Sequence, residues 1–140
     1  MVTARFLLDS DSLSECMKLS PHRRFTTRLE QHRSSLAIAA TTWQEAMFGL
    51  ELMPRGKRRG EIEEALLRVI EPSVEILPYD KEAAAWHGRE RARLKLAGKV
   101  APYADGEIAA VAVRNDLTLV TNNVRHFKAF RDVRVVNWMR

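Results

Sequence analysis

Residues 102–113, Pro-Tyr-Ala-Asp-Gly-Glu-Ile-Ala-Ala-Val-Ala-Val, restrict the fold more than any other stretch of this chain. Pro102 marks a loop. Asp105 stands where a helix N-cap would stand. Ile108, Ala109, Ala112 and Val113 follow at helical spacing, and small residues among them let other elements approach closely. The stretch predicts a buried central helix with a carboxylate at its N-terminal end. Thr118-Leu119-Val120-Thr121-Asn122-Asn123 follows directly and reads as a short buried strand running into a polar turn. A helix start and a strand end that meet at polar residues are how an open α/β sheet builds a site. An aspartate at a helix start is more often a cap than a ligand, so Asp105 acquires meaning only from acidic partners elsewhere in the chain.

The rest of the chain alternates strand and helix. Arg5-Phe6-Leu7-Leu8 fits a buried parallel strand ending at Asp9, and Ser12-Leu13-Ser14-Glu15 has capping-box spacing for the helix after it. Arg23 to His32 reads as a basic helix with Phe25 and Leu29 on one side. Leu36 to Ala40 is the second strand. Trp43, Ala46, Met47 and Leu50 then fall at one buried helical face, while Phe48, Leu52 and Met53 add apolar surface outside it, a candidate partner contact. Glu45 is expected in the first turn of that helix, where Thr42-Trp43-Gln44-Glu45 is itself a capping box; Gly49 leaves open space on the same side. Pro54 to Gly60 is a basic loop, and Ile62, Ala65, Leu66 and Val69 mark another amphipathic helix ended by Pro72. Val74 to Leu77 is the third strand. Asp80 caps a long helix that ends at Gly98, with Ala85, Gly88, Ala92 and Leu96 as its buried line. Arg89, Arg91, Arg93 and Lys95 on that helix form a candidate face for a nucleic-acid backbone, and His87 reads as structural. Arg134-Val135-Val136 is a short last strand with Trp138 packed at its end. The pattern predicts a single domain over residues 1–140: a three-layer α/β/α fold with a mainly parallel central sheet of four to five strands.

Composition sets the surroundings. The chain has 140 residues, 46% hydrophobic and 29% charged, enough for a real core. Cys16 is the only cysteine, which excludes an internal disulfide and a cysteine-based zinc site and fits a reducing cytosol. No apolar run approaches the roughly 18 residues of a membrane span, and Phe6-Leu7-Leu8 is too short for a signal-peptide core. These features lead us to expect a cytoplasmic protein with no membrane partner. Net charge is +5, which points toward a polyanionic partner.

In a parallel sheet with right-handed crossovers, Asp9, Glu45, Asp105 and Asn123 all lie at one edge. Carboxylates crowded there repel unless protons or a cation neutralise them. Oxygen ligands suit Mg²⁺ or Mn²⁺, and such a cation activates water for phosphodiester cleavage. Basic surface around an acidic pocket is what a nuclease needs.

Leu7-Leu8-Asp9, Glu45 with Gly49, Asp105-Gly106-Glu107-Ile108-Ala109-Ala110, Leu119 to Asn123 with His126-Phe127, and Asn137-Trp138 together resemble a PIN-domain ribonuclease. The likeness spans essentially the whole chain and is greatest to the VapC toxins of bacterial type II toxin–antitoxin systems, including the FitB-like branch. The resemblance implies a Mg²⁺-dependent endoribonuclease that is dimeric and inhibited by an antitoxin whose tail occupies the site, with DNA reached only through the antitoxin complex. It implies metal-binding roles for Asp9, Glu45 and Asp105. Asn123 stands where the family often has Asp, and Asp11 where it commonly has Asn. Asp11 either restores some of the missing charge or caps the first helix, and Thr121 lines the pocket. Two other readings stand beside this one. One is a partner-bound DNA-binding repressor module with a weak or silent nuclease site; the other is a phosphatase or DNA nuclease using the same acids.

Overall fold

Five short runs become strands because each is apolar where the sheet must be covered on both faces. They are β1 (Phe6–Leu8), β2 (Leu36–Ala39), β3 (Glu75–Leu77), β4 (Thr118–Val120) and β5 (Val135–Val136). In the computed structural model, which describes residues 3–140, they form one all-parallel sheet in the order β3-β2-β1-β4-β5. The central strand is β1, with Leu7 level with Ala37 on one side and Leu119 on the other. A slip of one residue would turn every side chain to the wrong face.

Among the described residues, seven α-helices connect the strands: α1 (Ser10–Cys16), α2 (Arg23–Gln31), α3 (Ala40–Leu52), α4 (Lys57–Glu64), α5 (Glu71–Ser73), α6 (Lys81–Leu96) and α7 (Tyr103–Arg114). The 3₁₀ turns Arg33–Ser35 and Val124–Phe127 complete the connections. The pleat divides the core in two. Leu7, Ala37, Ala39 and Leu119 meet Leu94 of α6 and Ile108, Ala109, Val111 and Ala112 of α7. Leu8, Leu36, Ile38 and Val120 meet Leu13, Phe25, Leu50 and Leu66 on the opposite face. This is the three-layer α/β/α arrangement expected from the sequence, with the sheet wholly parallel. Trp138 is buried at the end of the sheet, with its ring against Phe6, Phe25 and His32. Among the described residues no helix is long and apolar enough to cross a membrane.

Two helix faces differ from those the sequence pattern predicts. On α6, Ala85, Gly88, Ala92 and Leu96 are exposed, and Ala83, His87, Glu90 and Leu94 make the buried line. A glutamate can sit there because Arg93 donates twice to its carboxylate, at 2.6 and 2.8 Å, and the Arg131 N–H donates at 2.6 Å. After α4, residues Ala65–Ile70 wind as a π-helix, with Glu71 N–H donating to Leu66 O. The wider turn rotates the face, so Leu66 is buried while Val69 is exposed.

Candidate active site

The sheet's carboxyl edge gathers the predicted site. Asp9 follows β1 directly and is the N-cap of α1. α3 starts at Ala40, immediately after β2, and so carries Glu45 in its second turn rather than the expected first. α7 runs antiparallel to β4 and joins it through the short turn 115–117, so its first turn, with Asp105, lies at the same edge. Thr121 and Asn123 follow β4. The N-termini of α3 and α7 both lie at this edge, where exposed helix N–H groups favour negative charge.

Asp9 is 4% exposed. Its Oδ1 accepts the Ser12 N–H at 2.8 Å, and its own N–H donates to Val120 O at 3.1 Å. Burial pushes its carboxyl up from the ordinary aspartate range. The Thr121 hydroxyl and the Ser12 N–H pull it down, and the Asp11 charge pushes it up. Ser12 does not act as a capping serine: its hydroxyl donates to Val120 O at 2.9 Å, and Glu15 instead receives the His22 N–H at 2.7 Å. The expected Ser12–Glu15 box is absent because the aspartate three residues earlier caps the helix first. Thr121 is fully buried, and its Oγ1 accepts the Asn123 N–H at 2.9 Å.

Asp11 does not cap α1. Its Oδ2 accepts from Asn123 Nδ2 at 3.1 Å. Glu45 makes no capping box either, since α3 begins two residues before Thr42; Thr42 is buried with an unpartnered hydroxyl. Glu45 Oε1 instead accepts from the Ser10 hydroxyl. The space beside Gly49 is open, as expected, with nothing within 4 Å of a Cβ built there. Asp105 lies in the first turn of α7 rather than at its cap, which is Pro102. Freed from capping, its Oδ2 lies 3.4 Å from His126 Nδ1. Burial raises the Asp105 carboxyl above its ordinary value; His126 opposes this, and the charges of Glu45 and Asp11 add to it.

Asp11 thus acts on both Asp9 and Asp105, and Glu45 acts on Asp105. All of these acids follow strands or lie near helix starts at the carboxyl edge of the sheet. Hard, all-oxygen donors with unbalanced charge fit a divalent cation such as Mg²⁺. Among the described residues, no three His, Cys, Asp or Glu side chains are already gathered at ligand spacing. The donor chemistry fits the ion.

Three further side chains, given no site role from the sequence, stand beside acids at this edge. Ser10 and His126 each hold a site acid, and Thr41 Oγ1 donates to Glu107 Oε1 at 3.2 Å. The signals were adjacency to Asp9 for Ser10, and position just beyond Asn123 for His126. The basic face of α6 is only partly as predicted. Arg89 and Lys95 are exposed, and Arg91 stacks over the Tyr103 ring at 4.7 Å. Arg93 is not free to bind a backbone, because it is committed to Glu90 and donates to Ala129 O at 2.8 Å. Phe48 and Leu52 of α3 are exposed, at 63% and 68%.

A parallel α/β/α domain with carboxylates along the carboxyl edge of its sheet belongs to the open α/β folds, which place their ligands at that edge. The PIN domain model matches residues 6–133, and the chain belongs to that family. It is similar to the VapC ribonuclease Y4jK of Sinorhizobium fredii, 34% identical over 126 residues that cover 88% of this chain and 90% of that one. It is similar to the toxin FitB of Neisseria gonorrhoeae, 34% identical over 134 residues, 94% of this chain and 96% of that one. Among solved structures, a chain of FitAB bound to the IR36 DNA fragment superposes with a TM-score of 0.87 and 31% identity, covering 96% of each chain.

Proposed function

We propose that this protein is a Mg²⁺-dependent endoribonuclease and the toxin of a type II toxin–antitoxin pair. The observation that carries this reading is the placement of Asp9, Asp11, Glu45 and Asp105 along the carboxyl edge of one parallel sheet. Asp9 and Asp105 would hold Mg²⁺ or Mn²⁺, with Glu45 as a third ligand. The cation, once bound, supplies Lewis acidity to the phosphate and lowers the pKa of water. The Ser12 N–H fixes the Asp9 carboxylate and the Ser10 hydroxyl fixes Glu45, while the Thr121 hydroxyl favours the charged form of Asp9. Asn123 would hydrogen-bond water or a phosphate oxygen through an amide that adds no charge. Arg89, Arg91 and Lys95 are the cations left to attract the RNA backbone.

The relatives named VapC and FitB support the toxin assignment. Exposed Phe48 and Leu52 would meet a small cognate antitoxin, with DNA contacted through that complex, as in the FitAB neighbour bound to DNA. A homodimer in the cytoplasm is part of the same reading. Cleavage of a structured RNA mixture with Mg²⁺, with EDTA, and by Asp9→Asn tests it. Activity that needs both metal and Asp9 is expected, and cleavage indifferent to either would overturn it.

Asn123, standing where the family often carries an acid, favours one second reading: a partner-bound repressor module with a silent nuclease site. Gel shifts on DNA with and without a co-purified partner separate the two. A shift only with the partner, in a protein that cleaves no RNA when freed from it, would support the repressor module.

A further inference from the structure

The turn that carries Asp105 has no side-chain cap. Pro102 occupies the N-cap position of α7 and has no side-chain acceptor for the first N–H groups, its carbonyl taking the Gly106 N–H at 3.1 Å. What fixes this turn is packing, and its tightest neighbour is His87 of α6. A Cβ built on Gly106 would lie 2.2 Å from His87 Nε2, 2.8 Å from Cδ2 and 3.0 Å from Cε1. Only a residue without a side chain admits the imidazole there, so glycine follows Asp105 for reasons of space.

His87 is itself held. Its Nδ1 is 2.8 Å from the Tyr79 hydroxyl, and its ring meets the Tyr103 ring edge-on with centroids 5.1 Å apart. Arg91 covers Tyr103 in turn. Tyr79 follows β3 at the carboxyl edge, so a continuous line runs from the sheet through His87 to the first turn of α7. The imidazole is 2% exposed, and burial holds its pKa below the usual histidine range against the opposing pull of Glu107.

We propose that His87 is a positioning residue for the acid site: seated in the notch left by Gly106, it sets the first turn of α7 and so the direction in which Asp105 presents its carboxylate. The inference rests on the nuclease reading for what Asp105 does.

The test compares wild type, Gly106→Ala, His87→Ala, the double variant, and Asp9→Asn as control. Two quantities are read on each: the melting temperature in EDTA, and the Mn²⁺ concentration that gives half of the Mn²⁺-induced thermal shift and of RNA cleavage. Gly106→Ala is expected to raise the Mn²⁺ requirement about 10-fold or more, the range seen when residues that orient a metal ligand are altered. His87→Ala alone is expected to raise it several-fold while the protein stays folded. In the His87→Ala background, adding Gly106→Ala is expected to cost little more, because the ring it strikes is gone. Equal penalties for Gly106→Ala in both backgrounds would overturn the proposal. So would an unchanged Mn²⁺ requirement in folded His87→Ala, which decides the matter even if Gly106→Ala does not fold. A merely structural His87 would lower the EDTA melting temperature and leave the Mn²⁺ requirement where it was. Failure of the nuclease reading is distinct: wild type would then show no Mn²⁺ shift, or one that survives Asp9→Asn.

Discussion

Asn123 donates its side-chain amide to Asp11 Oδ2 at 3.1 Å, joining the turn after β4 to the first turn of α1. An amide and a carboxylate replace what two carboxylates would make a repulsion. Asn123→Asp puts like charges in contact and should lower metal-free stability by on the order of 1 kcal/mol at this solvated position. The deficit should shrink when Mg²⁺ is added. Thermal melts in EDTA and in Mg²⁺ check this; an equal or higher melting temperature in EDTA would contradict it.

Asp9 has two separable tasks, capping α1 and supplying charge. Asparagine is as good a cap as aspartate, whereas alanine is not. Asp9→Asn should abolish cleavage at wild-type stability or slightly above, because it also removes a buried charge. Asp9→Ala should abolish cleavage and cost about 1 kcal/mol through loss of the cap. Urea denaturation of both variants makes the comparison, and equal stabilities would show that the cap contributes nothing.

The acids make stability depend on pH in a particular direction. Burial and neighbouring charges raise the Asp105 carboxyl, with His126 offsetting part of the effect. The folded chain therefore holds this proton to higher pH than the unfolded chain does. Its contribution is fully present below about pH 4, the ordinary aspartate value, and is lost as pH rises through the raised value. In EDTA, Asp105→Asn should be more stable than wild type at pH 7, and the advantage should fade toward pH 4. Glu15, Glu75, Asp80 and Glu90 are held below their ordinary values and contribute with the opposite sign, losing stability as pH falls. They are common to both proteins and cancel in the difference. A pH-independent difference in melting temperature would refute the prediction.

The basic residues of α6 divide by what they touch. Arg93→Ala leaves the carboxylate of Glu90, 7% exposed, without its partner and should destabilise by about 3 kcal/mol. Arg89→Ala and Lys95→Ala should leave stability within about 0.5 kcal/mol. Each should instead reduce the slope of log affinity for single-stranded RNA against log salt by about 0.7. Filter binding at several salt concentrations, with Asp105→Asn to prevent cleavage, reads the slope; unchanged slopes would remove these residues from the RNA path.

The strands and the edge that gathers the acids were legible from sequence because short apolar runs and the residues after them are local signals. Helix starts were less so. Ser12–Glu15 and Thr42–Glu45 have the spacing of capping boxes, but Asp9 and the early start of α3 at Ala40 leave those side chains free for other partners. The buried line of α6 was misread because a period of small residues hides Glu90, whose burial depends on Arg93 within the helix and on Arg131 far along the chain. The contact of His87 with Gly106 joins two helices, and no local pattern announces it.

β1, made first, lies at the centre of the sheet and takes β4 as one of its neighbours. During synthesis it must wait for Thr118–Val120 before that side is covered. The proposed site draws together side chains as far apart as Asp11 and Asn123, 112 residues distant along the chain. It therefore forms only with the long-range pairing of β1 and β4, the slow part of folding such a topology.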